Sequence, residues 1–219
     1  MTTLFVLGLP GSGKSTISRH IANYVKYRHK KQTTEHINDY EILYEMFRAD
    51  IHHKQFRPTE HDGFDVIDLS VFDNALQKIE SKALDVIYNE KSPRLIVIEF
   101  ARNNYGQAFT QFSYDFLRDA YFLFLDANIH TCKERIRDRV ANPQTKDDHF
   151  VSEYIFESYY NKNNSHYLFS SLKTDYGIDN TKVKDINNNG QFEDILGKID
   201  EFIDLIFEQE CDSLVITGS

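Results

Sequence analysis

Apolar residues along this chain follow two rhythms, short unbroken runs and steps of three or four, and the two alternate. Leu4-Phe5-Val6-Leu7, Leu95-Ile96-Val97-Ile98 and Tyr121-Phe122-Leu123-Phe124-Leu125 are the unbroken runs. A strand covered on both faces has no polar side, so each run predicts a buried parallel strand. Helical spacing appears in Ile17, Ile21 and Val25, in Ile42, Leu43, Met46 and Phe47, and in Ala75, Leu76, Ile79, Ala83, Leu84, Val86 and Ile87. It returns over 109–119, 128–140 and 150–160, and again from Phe192 to Phe207. Two weaker strands complete the alternation. One covers 33–40 and ends in an Asn38-Asp39 turn; the other covers 182–186 and ends in Asn187-Asn188-Asn189-Gly190. Lys91-Ser92-Pro93 is expected as a turn. Residues 50–65 fit no period and are expected as an irregular binding loop, and 210–219 carry no assignment.

Strands alternating with helices predict an α/β protein, a three-layer sandwich with a parallel sheet between helices. Ligands of such sheets sit at the carboxyl ends of the strands. Those ends carry Gly8 onward, Asp39, Glu99, Asp126 and Asn187. The first is Gly8-Leu9-Pro10-Gly11-Ser12-Gly13-Lys14-Ser15, which fits Gly-x-x-x-x-Gly-Lys-[Ser/Thr] between a strand and a helix. Its glycines let successive backbone N–H groups turn toward phosphate oxygens. Lys14 supplies a cation for the terminal phosphates, and the Ser15 hydroxyl suits Mg²⁺. The carboxylates beside it suit metal binding and acceptance of a proton from an attacking hydroxyl.

Composition narrows the partners. The chain has 219 residues and a net charge of -9, which disfavours a nucleic-acid backbone as partner. Its cysteines, Cys132 and Cys211, offer neither a disulfide framework nor a zinc site. No run has the length of a membrane span, and the first apolar run leads straight into the phosphate loop, so a cytoplasmic protein is expected. His52, His53 and His61 are too irregularly spaced for a metal reading and are taken as solvated or substrate-lining. Arg135 and Arg139 lie four apart on one helical face, before a polar stretch of lid-like composition, and are expected to close over a triphosphate.

The whole pattern resembles the nucleoside- and nucleotide-kinase-like (adenylate-kinase-like) branch of the P-loop kinases. The resemblance rests on Gly8 to Thr16, on the helix from Cys132 to Arg139 with its polar sequel, and on Val183 to Gly190. It implies a P-loop NTPase fold with five parallel strands in the order 2-3-1-4-5 and a short lid at about 135–152. It also implies one domain over 1–219 with an acceptor-binding excursion at about 40–93. Asn38-Asp39 resembles the place where several small-molecule and polynucleotide 5′-hydroxyl kinases keep a catalytic Asp, and Glu99-Phe100-Ala101-Arg102 resembles the Asp/Glu-x-x-Arg of nucleoside kinases. Asn187 falls at the adenine-side loop. The Asp-Gly-x-x-Arg stretch of typical monophosphate sites is absent, and Phe56-Arg57-Pro58 matches no known acceptor pocket.

The expected function is an ATP- and Mg²⁺-dependent phosphotransferase acting on a hydroxyl or phosphate of a small molecule. Lys14, Asp39 and Arg139 are the expected catalytic residues. Gly8, Gly11, Ser12, Gly13, Lys14, Ser15, Thr16, Arg135, Arg139 and Asn187 are expected at the nucleotide. Asp39, Arg57, Glu99 and Arg102 are expected at the acceptor. Alternatives are a regulatory nucleotide-binding ATPase or switch, and a polynucleotide 5′-hydroxyl or sugar-nucleotide kinase. Whether the chain forms a homo-oligomer is left open.

Overall fold

The computed structural model describes residues 2–29, 32–61, 63–89, 95–142, 150–161 and 171–216, with side chains up to Gln209. Its strands in chain order are β1 (Thr2–Leu7), β2 (Thr34–Asn38), β3 (Phe56–Pro58), β4 (Phe64–Val66), β5 (Leu95–Phe100), β6 (Tyr121–Asp126) and β7 (Val183–Asn187). All but β3 and β4 form one parallel sheet in the order β2-β5-β1-β6-β7. Counting the sheet strands alone, this is the expected 2-3-1-4-5.

The continuous apolar runs are explained by cover on both faces. Phe5 and Leu7 of β1 join Ile96, Ile98 and Phe100 of β5 and Phe122 and Phe124 of β6 in one core. Leu4 and Val6 face the other way, with Val97, Leu123 and Leu125, toward α1 (Lys14–Arg28) and the C-terminal helix (Glu193–Ile216). Phe5 stacks on Phe122 with centroids 5.2 Å apart and meets Phe100, Phe109, Phe112 and Phe116 edge-on. On the far face, Asp204 of the C-terminal helix accepts from Tyr24 at 3.0 Å and pairs with His29 at 2.9 Å, while Asp200 pairs with His20 at 2.6 Å.

Between β2 and β5 run α2 (Asp39–Ala49), the β3–β4 pair and α3 (Ser70–Tyr88). Residues 50–65, expected as irregular, instead hold a strand pair with Phe56, Arg57 and Pro58 opposite Val66, Asp65 and Phe64. Strands of that length show no period. The Asp50 carboxylate folds the entry by accepting backbone N–H bonds from Lys54, Gln55 and Phe56 at 2.7–3.0 Å.

The single helix expected over 109–119 is two, α4 (Tyr105–Phe109) and α5 (Tyr114–Arg118). Phe109, Phe112 and Phe116 keep helical spacing across the break, but Glu80 of α3 accepts from both the backbone N–H and the hydroxyl of Ser113 and restarts the helix there. The helix expected over 150–160 is one α-turn, Glu153–Ile155, continuing as a π-helical turn over Phe156–Tyr160. Before that segment runs α6 (Ile129–Ala141), whose Asn128 cap accepts from the Thr131 N–H at 2.8 Å. The polar part of the expected lid at 143–149 and the turn at 91–93 lie outside the described residues.

Candidate functional site

The loop joining β1 to α1 is shaped by residues that admit no side chain and held by partners distant in sequence. Gly8 has φ +144°, and a Cβ there would lie 2.6 Å from the Leu125 carbonyl oxygen. Gly13 has φ +98°, and a Cβ there would lie 2.6 Å from the Asn188 side-chain nitrogen. The Gly8 N–H donates to the buried Tyr105 hydroxyl at 2.9 Å. Asn188 Nδ2 donates to the Ser12 carbonyl at 2.7 Å, while the Asn188 N–H donates to the Asp126 carbonyl at 2.7 Å. The loop is thus tied to the helix after β5 and to the turn after β7. Asn188, Tyr105 and the glycines together fix its path.

Four chemistry-bearing side chains converge beyond it. Lys14 Nζ lies over the loop and donates to the Leu9 carbonyl at 2.9 Å. Burial lowers its affinity for a proton, and the charges of Glu99 and Asp39 offset part of that. Ser15 Oγ donates to Glu99 Oε1 at 2.7 Å, Ser18 Oγ to Oε2 at 3.3 Å, and His36 Nε2 meets Oε2 at 3.0 Å. Burial alone would raise the Glu99 carboxyl, but the His36 hydrogen bond, the Lys14 charge and Ser15 outweigh it and hold it below its ordinary value.

Asp39 behaves in the opposite way. It opens α2 directly after the Asn38 cap, whose Oδ1 accepts from the Tyr40 and Glu41 N–H groups at 2.7 and 3.3 Å. Arg102 Nη1 donates to Asp39 Oδ2 at 2.5 Å. Burial raises the Asp39 carboxyl above its ordinary value, and the Arg102 charge and hydrogen bond offset only part of this. Two neighbouring carboxylates pushed in opposite directions are suited to different tasks.

Lys14, Ser15, Asp39 and Glu99 line one cleft of about 300 Å³, which also takes in Gly11, Gly13, Thr16, Arg19, Arg135 and Arg139. Arg135 Nη2 donates to the Gly190 carbonyl at 3.3 Å, bringing α6 to the turn after β7. Other expected residues are placed differently. Arg102 is 2% exposed, with Nη2 donating to the Phe72 carbonyl at 2.9 Å and its guanidinium over the Phe72 and Phe100 rings. It holds Asp39 from beneath rather than lining the cleft. Arg57 pairs with Asp65 at 2.7 Å, covers the Tyr154 ring and lines a neighbouring cleft with Lys133 and Arg137. Asn187 Oδ1 accepts from the backbone and side chain of Asn189 at 3.1 and 3.0 Å, shaping the turn.

Local sequence does not mark Tyr105, His36 and Asn188 as site residues. Their partners stand 97, 63 and 176 positions away, and only the Asn-rich turn gave any signal. Ser15 and Glu99 offer the hard oxygen donors that Mg²⁺ takes together with water and phosphate oxygens, so the residues present fit that ion.

Residues 4–157 match the family model AAA_18, an AAA domain. No curated protein matches the sequence. Among solved structures, Kti12 of Chaetomium thermophilum in complex with ADP-AlF3 is 15% identical with a TM-score of 0.57, the match covering 94% of this chain and 97% of that one. An unliganded sugar kinase of Janibacter sp. is 14% identical with a TM-score of 0.51, covering 93% and 95%. A gluconokinase of Sinorhizobium meliloti 1021 is 13% identical with a TM-score of 0.51, covering 100% and 98%. At these identities the likeness is one of fold, the P-loop NTPase fold.

Proposed function

We propose, on the premise that this chain belongs to the AAA_18 family of AAA domains, that it is an ATP-dependent phosphotransferase acting on a small-molecule acceptor. The observation that carries this reading is the opening of Asp39 into the same cleft as Lys14 and the Ser15–Glu99 pair. Phosphoryl transfer requires in-line positioning, charge neutralisation and an acceptor for one proton. The loop N–H groups and Lys14 hold the phosphates. Arg139, with Arg135 beside it, stabilises charge that develops on the transferred group. Asp39 takes the proton as the acceptor hydroxyl oxygen bonds to the γ-phosphorus and the bond from that phosphorus to the bridging oxygen breaks. Ser15 and Glu99 would hold Mg²⁺, which supplies neutralisation of phosphate charge when bound. Residues 40–93 form the acceptor side in this reading, and residues 135–152 the lid.

No helix among the described residues is long and apolar enough to cross a membrane. The test is transfer of label from γ-labelled ATP by the full chain, with Lys14→Ala as control. Label recovered on an added small molecule, and lost in the control, is expected. Label released only to water would overturn the reading in favour of a regulatory ATPase.

A further inference from the structure

The acceptor side of the cleft differs in chemistry from its phosphate side. The cations lining the cleft among the described residues are Lys14, Arg19, Arg135 and Arg139, all from the loop, α1 or α6. The acceptor side, built by α2, β4, the start of α3 and the segment from residue 150, includes Tyr40, Leu43, Phe64, Val66, Phe72 and Ile155. Tyr40 and Phe64 stack nearly parallel, 10° apart with centroids at 5.7 Å. Asp39, which precedes Tyr40, and Glu99 are the acidic groups lining the cleft among the described residues, and the Arg102 guanidinium lies behind the wall against the Phe72 ring.

The arginines that sequence spacing offers to an anionic acceptor are directed elsewhere. Arg102 is buried beneath Asp39, and Arg57 pairs with Asp65 at the adjoining cleft. A phosphate or carboxylate on the acceptor would therefore lie beside two carboxylates against an apolar wall, which costs free energy without a compensating partner. A polyol would find partners at Asp39, Glu99 and Asn38 but would leave the hydroxyls that face Leu43, Val66, Phe72 and Ile155 unmatched. A flat ring, in contrast, gains apolar contact with Tyr40, Leu43, Val66 and Ile155 and with the edges of Phe64 and Phe72, whose faces are taken up by Tyr40, Phe47 and Tyr159.

We infer that the acceptor is an uncharged molecule with a flat ring and a free hydroxyl, seated against Tyr40, Phe64 and Phe72 with that hydroxyl toward Asp39. The inference rests on the phosphotransferase reading. Nucleosides and simple aromatic alcohols share this chemistry and differ in whether a sugar links ring to hydroxyl. The reaction conserves atoms as before: the acceptor oxygen gains the γ-phosphoryl group, ADP leaves, and the hydroxyl proton passes to Asp39.

The experiment is a γ-labelled ATP panel with the full chain and Mg²⁺, offering nucleosides, aromatic alcohols, nucleoside monophosphates, aldoses and sugar acids. We expect kcat/KM for an uncharged ring alcohol to exceed that of any charged or polyol acceptor by about a hundredfold. Preference within the first two classes identifies the source of the ring. Tyr40→Ala is expected to raise the acceptor KM about tenfold and leave the ATP KM unchanged, a readout that a general folding defect would not give. Tyr40→Lys is expected to narrow the gap between a nucleoside and its monophosphate. Preference for monophosphates, sugars or sugar acids overturns this inference alone. Label passing only to water overturns the phosphotransferase reading with it.

Discussion

Asp39 and Glu99 sit in one cleft yet are held in opposite protonation tendencies, and this carries the sharpest tests at the residue scale. Asp39→Asn keeps the shape and removes the proposed proton acceptor. We expect kcat to fall by about 10²–10⁴-fold with ATP affinity unchanged, as read by titration calorimetry. Because burial lifts the Asp39 carboxyl, the acid limb of kcat/KM is expected above the ordinary Asp value of 3.8, the rate falling as the base gains its proton. Arg102→Gln removes a cation that favours the carboxylate, so the limb is expected to move to higher pH; an unmoved limb would remove Asp39 from the titration. Tyr105→Phe leaves the Gly8 N–H without its acceptor and is expected to cost about 1–3 kcal/mol in chemical denaturation. The loop glycines, Lys14 and Ser15 were legible because their chemistry is local. Tyr105 and His36 were not, since a tyrosine and a histidine acquire these roles only when the sheet brings β5 beside β1 and β2.

Elements with two buried faces were the easiest to read. The β1, β5 and β6 runs are apolar at every position because helices cover both sides of the sheet. Edge strand β2 pairs with β5 alone and carries Glu35 outward, so its pattern was faint and its place came from the alternation around it. The break between α4 and α5 was illegible for the opposite reason. The local spacing favoured one helix, and a carboxylate from α3 overrode it. The turn after β7 gives the test at this scale. Its Asn188 is the link to the Ser12 carbonyl, so Asn188→Ala is expected to weaken ATP binding about five- to tenfold while the circular dichroism spectrum stays the same.

In the whole molecule, the two faces of the sheet divide the work. The proposed acceptor wall, through Leu43, Val66, Phe72 and Ile155, belongs to the phenylalanine-rich core around Phe5, while the opposite face carries α1, whose Ser15 and Ser18 meet Glu99, and the C-terminal helix. Asp204→Ala removes the acceptor of Tyr24 and the partner of His29 on that second face. Thermal or denaturant unfolding is expected to show a loss of about 0.5–1.5 kcal/mol, with kcat unaltered. The stacked pair Tyr40–Phe64 has a further consequence, an optical one. The protein contains 17 Phe and 13 Tyr but no Trp, so excitation at the red edge of its absorption meets a dark background. Tyr40→Trp would install a sole indole against Phe64. Its emission would report arrival of an acceptor directly, in real time, before any phosphate has moved.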